Sequence, residues 1–365
     1  VLARMSFPLP RLERKREDDY EIGELLGRGN FTSVYHAVEK ATDRRCAIKI
    51  IDRYRCERLK KTADVTMEKH CLRRLNHPNI VKLYGFFTDC ICVYMVMEEC
   101  NGGELWDHVK TVGLPKEMVK FIMGQVVNAL DYMRQACVVH RDLKAENTML
   151  NDRGVVKLID FGTAKDMENP HIKGAGNTSR HKTFDNYVGT PQFMPAEVIE
   201  NKCTDQRSDT WSLGCMIYQV LVGAPPFHAA SEYLVFLRIM DLDLQWPPAI
   251  DPVGKDLVTK MVVKDPDARL GAQDINELRR HPFFENVQFE GLHHSPAPVM
   301  SLADLCLRKI GRRIKALKGK IADKKEALES LQPEVKDIVK RMQTVQKWLD
   351  DSMPQEADEE AGDED

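Results

Sequence analysis

Between Tyr20 and Glu99 the apolar residues fall in short runs of β-branched and aromatic side chains, each closed by turn-forming residues. Val34–Val38, Cys46–Ile51, Val81–Phe87 and Ile91–Met97 read as strands. One helical pattern interrupts them, from about Ala63 to Leu75, and stops at Asn76-His77-Pro78, because the residue before a proline is driven out of the helical region. From Glu117 the period changes: across Lys116–Gln135 the apolar Val119, Ile122, Val126, Leu130 and Met133 recur at helical spacing. A short hairpin, Met149–Leu150 against Val155–Leu158 across Asn151-Asp152-Arg153-Gly154, lies within this helical region. The pattern predicts an α+β, bilobal fold, with a small β-rich lobe over about 20–99 and a larger helical lobe over about 100–285.

The flanks follow different rules. Residues 1–19 form a polar arm with two prolines, and 286–306 read as a linker. Positions 307, 310, 314, 317, 321, 324, 328, 331, 335, 338, 342, 345 and 349 keep the 3-4 spacing of a heptad seam, and all but Lys324 are apolar. With Pro333 inside the run, 307–349 predicts a kinked coiled coil or a hairpin of two helices, with a homodimer as its natural product. A basic membrane-surface or calmodulin-binding helix is the second reading of its first half. Residues 350–365 hold nine carboxylates and no basic side chain, an acidic tail expected to be disordered.

Composition narrows the classes. Of 365 residues, 43% are apolar and 30% charged, enough for a core and too apolar for wholesale disorder. The net charge of -3 argues against a nucleic-acid coat, although it is a cancellation: residues 308–325 carry nine basic side chains against one acidic. The longest apolar stretches, such as Ile91–Met97 and 213–223, fall far short of the roughly 20 residues of a membrane helix. Ten cysteines without a C-x-x-C pair read as reduced thiols, which points to the cytoplasm, or also the nucleus, and away from structural zinc.

Candidate chemistry comes from spacing. In Gly27-Arg28-Gly29-Asn30-Phe31-Thr32-Ser33-Val34, two glycines would let backbone N–H groups approach phosphate oxygens, but a hairpin turn has the same look. Lys49, in the apolar Ala47-Ile48-Lys49, needs solvent or a partner; Glu68 on the helix is that partner, unless the two form an ordinary surface ion pair. His140-Arg141-Asp142-Leu143-Lys144-Ala145-Glu146-Asn147 and Asp160-Phe161-Gly162 add two carboxylates and an amide at a spacing that fits phosphoryl transfer. The hairpin between them places Asn147 and Asp160 on one metal site.

With these motifs in order, the chain resembles the eukaryotic protein kinase family from about Tyr20 to Glu285. The resemblance implies ATP and Mg2+ as cofactors. It implies that Gly27, Gly29 and Val34 cover the nucleotide with Ala47, that Lys49 holds the α- and β-phosphates, and that Glu68 orients Lys49. Asp142 would accept the substrate's hydroxyl proton, Lys144 would stabilise the transferring group, Thr190 would brace both, and Asn147 and Asp160 would hold the metal. Met97 would guard the back of the adenine pocket, with Glu98 and Cys100 on the hinge. Glu104 and Glu146 would meet the ribose or a basic substrate residue. Glu197 with Arg269 resembles the ion pair anchoring the activation segment, and Asp209-Thr210-Trp211-Ser212-Leu213-Gly214 the helix under the catalytic loop.

Lys144 implies Ser/Thr substrates. Asp160-Phe161-Gly162-Thr163-Ala164-Lys165, Gly189-Thr190-Pro191-Gln192-Phe193, Tyr218-Gln219-Val220-Leu221-Val222-Gly223-Ala224-Pro225-Pro226-Phe227 and His281-Pro282-Phe283-Phe284 are similar to the AGC group, and Thr32 in place of a third glycine to its phosphoinositide-dependent subfamily. That implies protein substrates: other AGC kinases, docked on the small lobe and phosphorylated on their activation loops. The alternatives are an AGC kinase with other substrates, or a non-catalytic scaffold acting through the heptads. Three departures matter. The subfamily's lipid-binding domain is replaced by the heptads and tail, so direct lipid binding is not expected. Cys56 and Glu57 stand at apolar positions of the docking groove, while Arg53 and Lys69 keep its basic character. Asn186 stands at the phosphorylated serine, with Met67 and Asp64 where an arginine and a tyrosine would face the phosphate. Either Asp185 or Asn186 bonds Arg141 and Lys165 directly, or Thr183, Ser179 or Thr178 is phosphorylated instead.

Overall fold

β1 (Tyr20–Arg28), β2 (Thr32–Glu39) and β3 (Arg44–Asp52) form an antiparallel meander that β5 (Cys92–Met97) and β4 (Leu83–Thr88) extend, in the order β1-β2-β3-β5-β4. The computed structural model describes residues 16–170, 172, 188–200 and 204–298. The heptads, the acidic tail, most of the arm and the five activation-loop candidates Thr178, Ser179, Thr183, Asp185 and Asn186 lie outside them. Register decides which side chains meet: Val34 pairs with Lys49, Lys49 with Met95, and Ala47 with Met97. Cross-strand partners share a face, so these five face one side of the sheet. The other face carries Tyr20, Ala37, Cys46, Ile48, Tyr94 and Val96, a small separate core.

Between β3 and β4 lie α1 (Arg53–Arg58), which the sequence pattern did not announce, and α2 (Thr62–Arg74), close to the expected helix. Asp52 accepts from the Arg55 N–H and caps α1. Met67, Cys71 and Leu72 of α2 pack with Ile51 and Met95 into the main core, which continues through the second lobe. That lobe is built on α3 (Leu105–Val112), α4 (Lys116–Gln135), α5 (Ala196–Ile199), α6 (Gln206–Val222), α7 (Glu232–Asp241), α8 (Pro252–Met261) and α9 (Asn276–Arg279). Two small sheets lie against it: β6 (Gly103–Glu104) with β8 (Thr148–Leu150) and β9 (Val156–Leu158), and β7 (Val138–Val139) with β10 (Lys165–Asp166).

α6 is the axis of the lobe. Its residues Ser208 to Val220 are all buried, so its polar members must find internal partners. Ser208 donates to Glu197, Ser212 to the Phe193 carbonyl, and Gln219 to Glu146. A Cβ at Gly214 would lie 2.9 Å from Met261 and Val262, so glycine is what lets α8 pack this closely. Gly223, in the left-handed conformation, ends the helix. The expected linker differs in part: Phe289 and Leu292 pack against the main core, and the Asn128 side chain of α4 donates to the Phe289 carbonyl at 2.8 Å. No described helix is long and apolar enough to cross a membrane.

Candidate active site

The Lys49 ammonium donates to both Glu68 oxygens, at 2.6 and 2.7 Å. Burial disfavours the charged lysine, yet Glu68 and the nearby Asp160 outweigh it and hold the Lys49 pKa above its ordinary value. Val34 and Ala47 flank Lys49 on the same face, and Gly27 pairs with Val34 at the end of β1. A Cβ at Gly29 would stand 2.6 Å from the Thr32 hydroxyl, so a larger residue in the tight return from β1 to β2 would have to turn that side chain aside.

β7 leads into the loop that carries Asp142. The Asp209 carboxylate, buried on α6, accepts the N–H groups of His140 and Arg141 at 2.7 and 2.9 Å and fixes the loop backbone. Arg141 takes a left-handed φ of 68°. Asp142 then gathers four donors from three residues. Its Oδ1 accepts the Thr190 N–H and hydroxyl, both at 2.8 Å; its Oδ2 accepts Lys144 Nζ and the Asn147 amide, both at 2.8 Å. Burial would raise its pKa, but Lys144 and the Thr190 hydrogen bond win, so the carboxyl sits below its ordinary value and stays ionised. Lys144 also donates to the Thr190 hydroxyl, closing the triangle. Gly189 is obligatory next to it: at φ +105°, a Cβ would stand 2.5 Å from the Arg141 carbonyl.

Asp160 follows β9 with a left-handed φ of 61°, and its carboxylate accepts the Gly162 N–H. The Ile159 N–H donates to the Asn147 carbonyl at 3.0 Å, tying the two candidate metal ligands to one place. Among the described residues no group of three or more His, Cys, Asp or Glu could hold a metal by itself. One carboxylate and one amide oxygen instead fit a hard divalent cation that takes its other ligands from phosphates and water.

A protein kinase domain model matches residues 20–284. The chain belongs to the protein kinase family. It is 37% identical over 298 residues to the human Putative 3-phosphoinositide-dependent protein kinase 2, covering 80% of this chain and 73% of that protein. To 3-phosphoinositide-dependent protein kinase 1 of Arabidopsis thaliana it is 36% identical, covering 81% and 61%. To Serine/threonine-protein kinase ksg1 of Schizosaccharomyces pombe it is 36% identical, covering 78% of this chain and only 49% of that one. The kinase domain is that of an ATP-dependent serine/threonine kinase of the AGC group.

Lys144 and Thr190 fix the orientation of the Asp142 carboxylate, which would serve to take a substrate's hydroxyl proton. Lys49 would supply a positioned cation for nucleotide phosphates, and a divalent ion held by Asn147 and Asp160 would neutralise charge between them. Glu197 and Arg269 form the expected pair in full: Nη1 reaches Oε1 at 2.8 Å and Nη2 reaches Oε2. Met97, half-buried, ends β5 beside Ala47. The Glu98 carboxylate turns to Lys157 at 2.6 Å and its N–H donates to the Lys82 carbonyl at 2.8 Å, which leaves its backbone carbonyl to face a nucleotide. Burial pushes the Cys100 thiol up to about 12, an inert side chain. Glu104 and Glu146 lie close enough for the charge of Glu146 to raise the Glu104 pKa, after partial burial and Asp107. Glu146 is held by the Gln219 amide at 3.0 and 3.1 Å.

Gln219 stands in the sequence only as part of an AGC-like stretch, with no role of its own; the structure gives it one. Its Oε1 accepts the Ala145 N–H at 3.0 Å while its amide holds Glu146, so it supports the catalytic loop from beneath. The signal was present: a lone amide in Tyr218-Gln219-Val220-Leu221-Val222, where burial demands a polar partner.

Proposed function

We propose that this kinase transfers the γ-phosphate of ATP, with magnesium as its divalent ion, to serine or threonine hydroxyls in the activation segments of other AGC kinases. The observation that carries the reading is a cavity of about 260 Å³ on the small lobe, lined by Ile51, Val65, Phe86 and Val93 together with the basic Arg53 and Lys69. Lys69 lies over the Phe86 ring, 3.8 Å from its centroid. An apolar floor with basic neighbours suits an aromatic peptide segment flanked by negative charge. Cys56 and Glu57 line the same cavity; the Glu57 carboxylate favours a partner with fewer negative groups on that side.

The test uses an AGC kinase substrate with and without its terminal hydrophobic segment, against wild type and Val65→Trp, which fills the cavity. Wild type is expected to phosphorylate the intact substrate about tenfold faster than the truncated one, and Val65→Trp to lose that difference while keeping its rate on a short peptide. Equal rates on both substrates with wild type overturn the docking reading. Labelling by Asp142→Asn equal to wild type overturns catalysis by this site.

A further inference from the structure

α2 presents two working lines. Glu68 meets Lys49, while His70 and Arg74, one turn apart, reach a different target. That target is Asp166 on β10, at the start of the activation segment and more than ninety residues further along the chain. The carboxylate, 2% exposed, accepts from His70 Nε2 at 2.6 Å, from Arg74 Nη1, and from the Asn169 side chain at 2.9 Å. Its other oxygen accepts the N–H groups of Glu168 and Asn169. Arg74 adds Glu168 and the Ala136 carbonyl.

Asp166 is itself fixed. It pairs with Val138 on β7, two residues before His140, and the next N–H, that of Met167, donates to the Cys137 carbonyl. One buried carboxylate thus links α2 to the strand that delivers Asp142. Earlier on α2, Met67 is buried in the core, and Asp64 is acidic and paired with Lys61 at 2.7 Å, so neither offers a phosphate a cationic partner. A carboxylate that collects an arginine and a histidine from a helix does electrostatically what a phosphate on the segment would do, but permanently.

We infer that Asp166, Arg74 and His70 form a clamp that holds α2 inward and keeps Glu68 on Lys49 without phosphorylation of the activation segment. They are positioning residues, acting on the nucleotide through the Lys49–Glu68 pair.

The experiment uses the full chain after phosphatase treatment, with mass spectrometry confirming loss of phosphate. Wild type is expected to keep its activity within about twofold, and Asp166→Asn to lose about tenfold in kcat/KM, mostly as a higher KM for ATP. A folding defect would instead lower kcat through fewer active molecules and leave that KM unchanged. Hydrogen exchange should quicken in Thr62–Arg74 and stay unchanged in Gln206–Val222. His70→Leu and Glu168→Gln, at less buried positions, are expected to shift the same KM about two- to threefold and decide the matter if Asp166→Asn does not fold. Wild-type KM and exchange in the folded variants overturn the clamp. So does phosphatase-treated wild type falling to the level of Asp166→Asn, which would put a phosphate in control.

Discussion

Two buried ion pairs in this kinase are built to different standards. In Glu197–Arg269 every donor is spent: beyond Glu197, the guanidinium bonds the carbonyls of Val263, Arg207 and Lys264 and lies 5.1 Å from the centre of the Trp211 ring. Glu197 also takes the Ser208 hydroxyl. In Lys49–Glu68, two of the ammonium's three donors go to Glu68, and the lysine side chain is 17% exposed against 0% for Arg269. A saturated, sealed pair is a joint that fixes the activation segment on the large lobe. An unsaturated one keeps a charged donor in reserve for a ligand, and it can open when α2 moves. The same residue chemistry therefore serves stability in one place and binding in the other.

Removing one partner from each pair separates these roles most sharply. Lys49→Met is expected to lower kcat/KM by about a thousandfold, since a positioned charge in a low-dielectric cleft is worth about 3–4 kcal/mol to the transition state. Its unfolding free energy should change by only about 1 kcal/mol, because Glu68 can take up a proton once its counter-ion is gone. Arg269→Met is the inverse case: about 3–5 kcal/mol of stability lost, with activity of the folded protein in the cold falling less than tenfold. Steady-state kinetics beside thermal unfolding read both. If the two variants lose stability equally, the distinction between joint and working pair fails.

How far the sequence foretold these sites depends on what each residue must do. That Lys49 would meet Glu68, and Asn147 lie beside Asp142 and the Asp160 turn, was legible because phosphoryl transfer, which their motifs resemble, accepts few residue types in a fixed order along the chain. The strands around Lys49 were legible from their β-branched runs, and α2 from its helical period and its stop at Pro78. Asp166, Arg74 and His70 were not: their partnership spans more than ninety residues, and each alone looks like a solvated surface charge. Phe289 and Leu292 were hidden for a related reason, since two apolar residues in a Pro-containing stretch carry no period. Gln219 was hidden by its helix, where an amide in an apolar run reads as an imperfection.

Gln219→Leu tests whether that imperfection has a function. The change leaves the Ala145 N–H without its acceptor and Glu146 without its donor, in a buried place. The cost should be about 1–3 kcal/mol, with kcat down about three- to tenfold as the catalytic loop loosens. Gln219→Glu keeps the acceptor but sets a carboxylate against Glu146, so it should be the worse of the two. Were the leucine variant as active as wild type, Asp209 alone would suffice to hold the loop.

The smallest effect expected is a pH dependence that belongs to neither ion pair. His77 sits between α2 and β4, its Nδ1 accepting the Asn79 N–H at 3.2 Å and its ring stacked on Tyr132 with centroids 4.9 Å apart. Burial, then the neighbouring His293 and Lys157, push its pKa down from 6.5 to about 4. A histidine whose folded pKa is depressed binds its proton more readily unfolded. Its contribution is complete above 6.5 and is lost as pH falls through the interval toward 4. Between about pH 7 and pH 5.5 this amounts to about 1 kcal/mol. Asp166 acts in a lower window: burial raises its pKa, but hydrogen bonds from His70, Arg74 and Asn169 more than offset this, and its share of stability persists until pH falls below the ordinary 3.8. Thermal unfolding across pH 7 to about 5.5 should therefore slope downward in wild type, flatten in His77→Gln, and keep its slope in Asp166→Asn. A slope that survives His77→Gln would assign the titration to another group and leave His77 a packing residue.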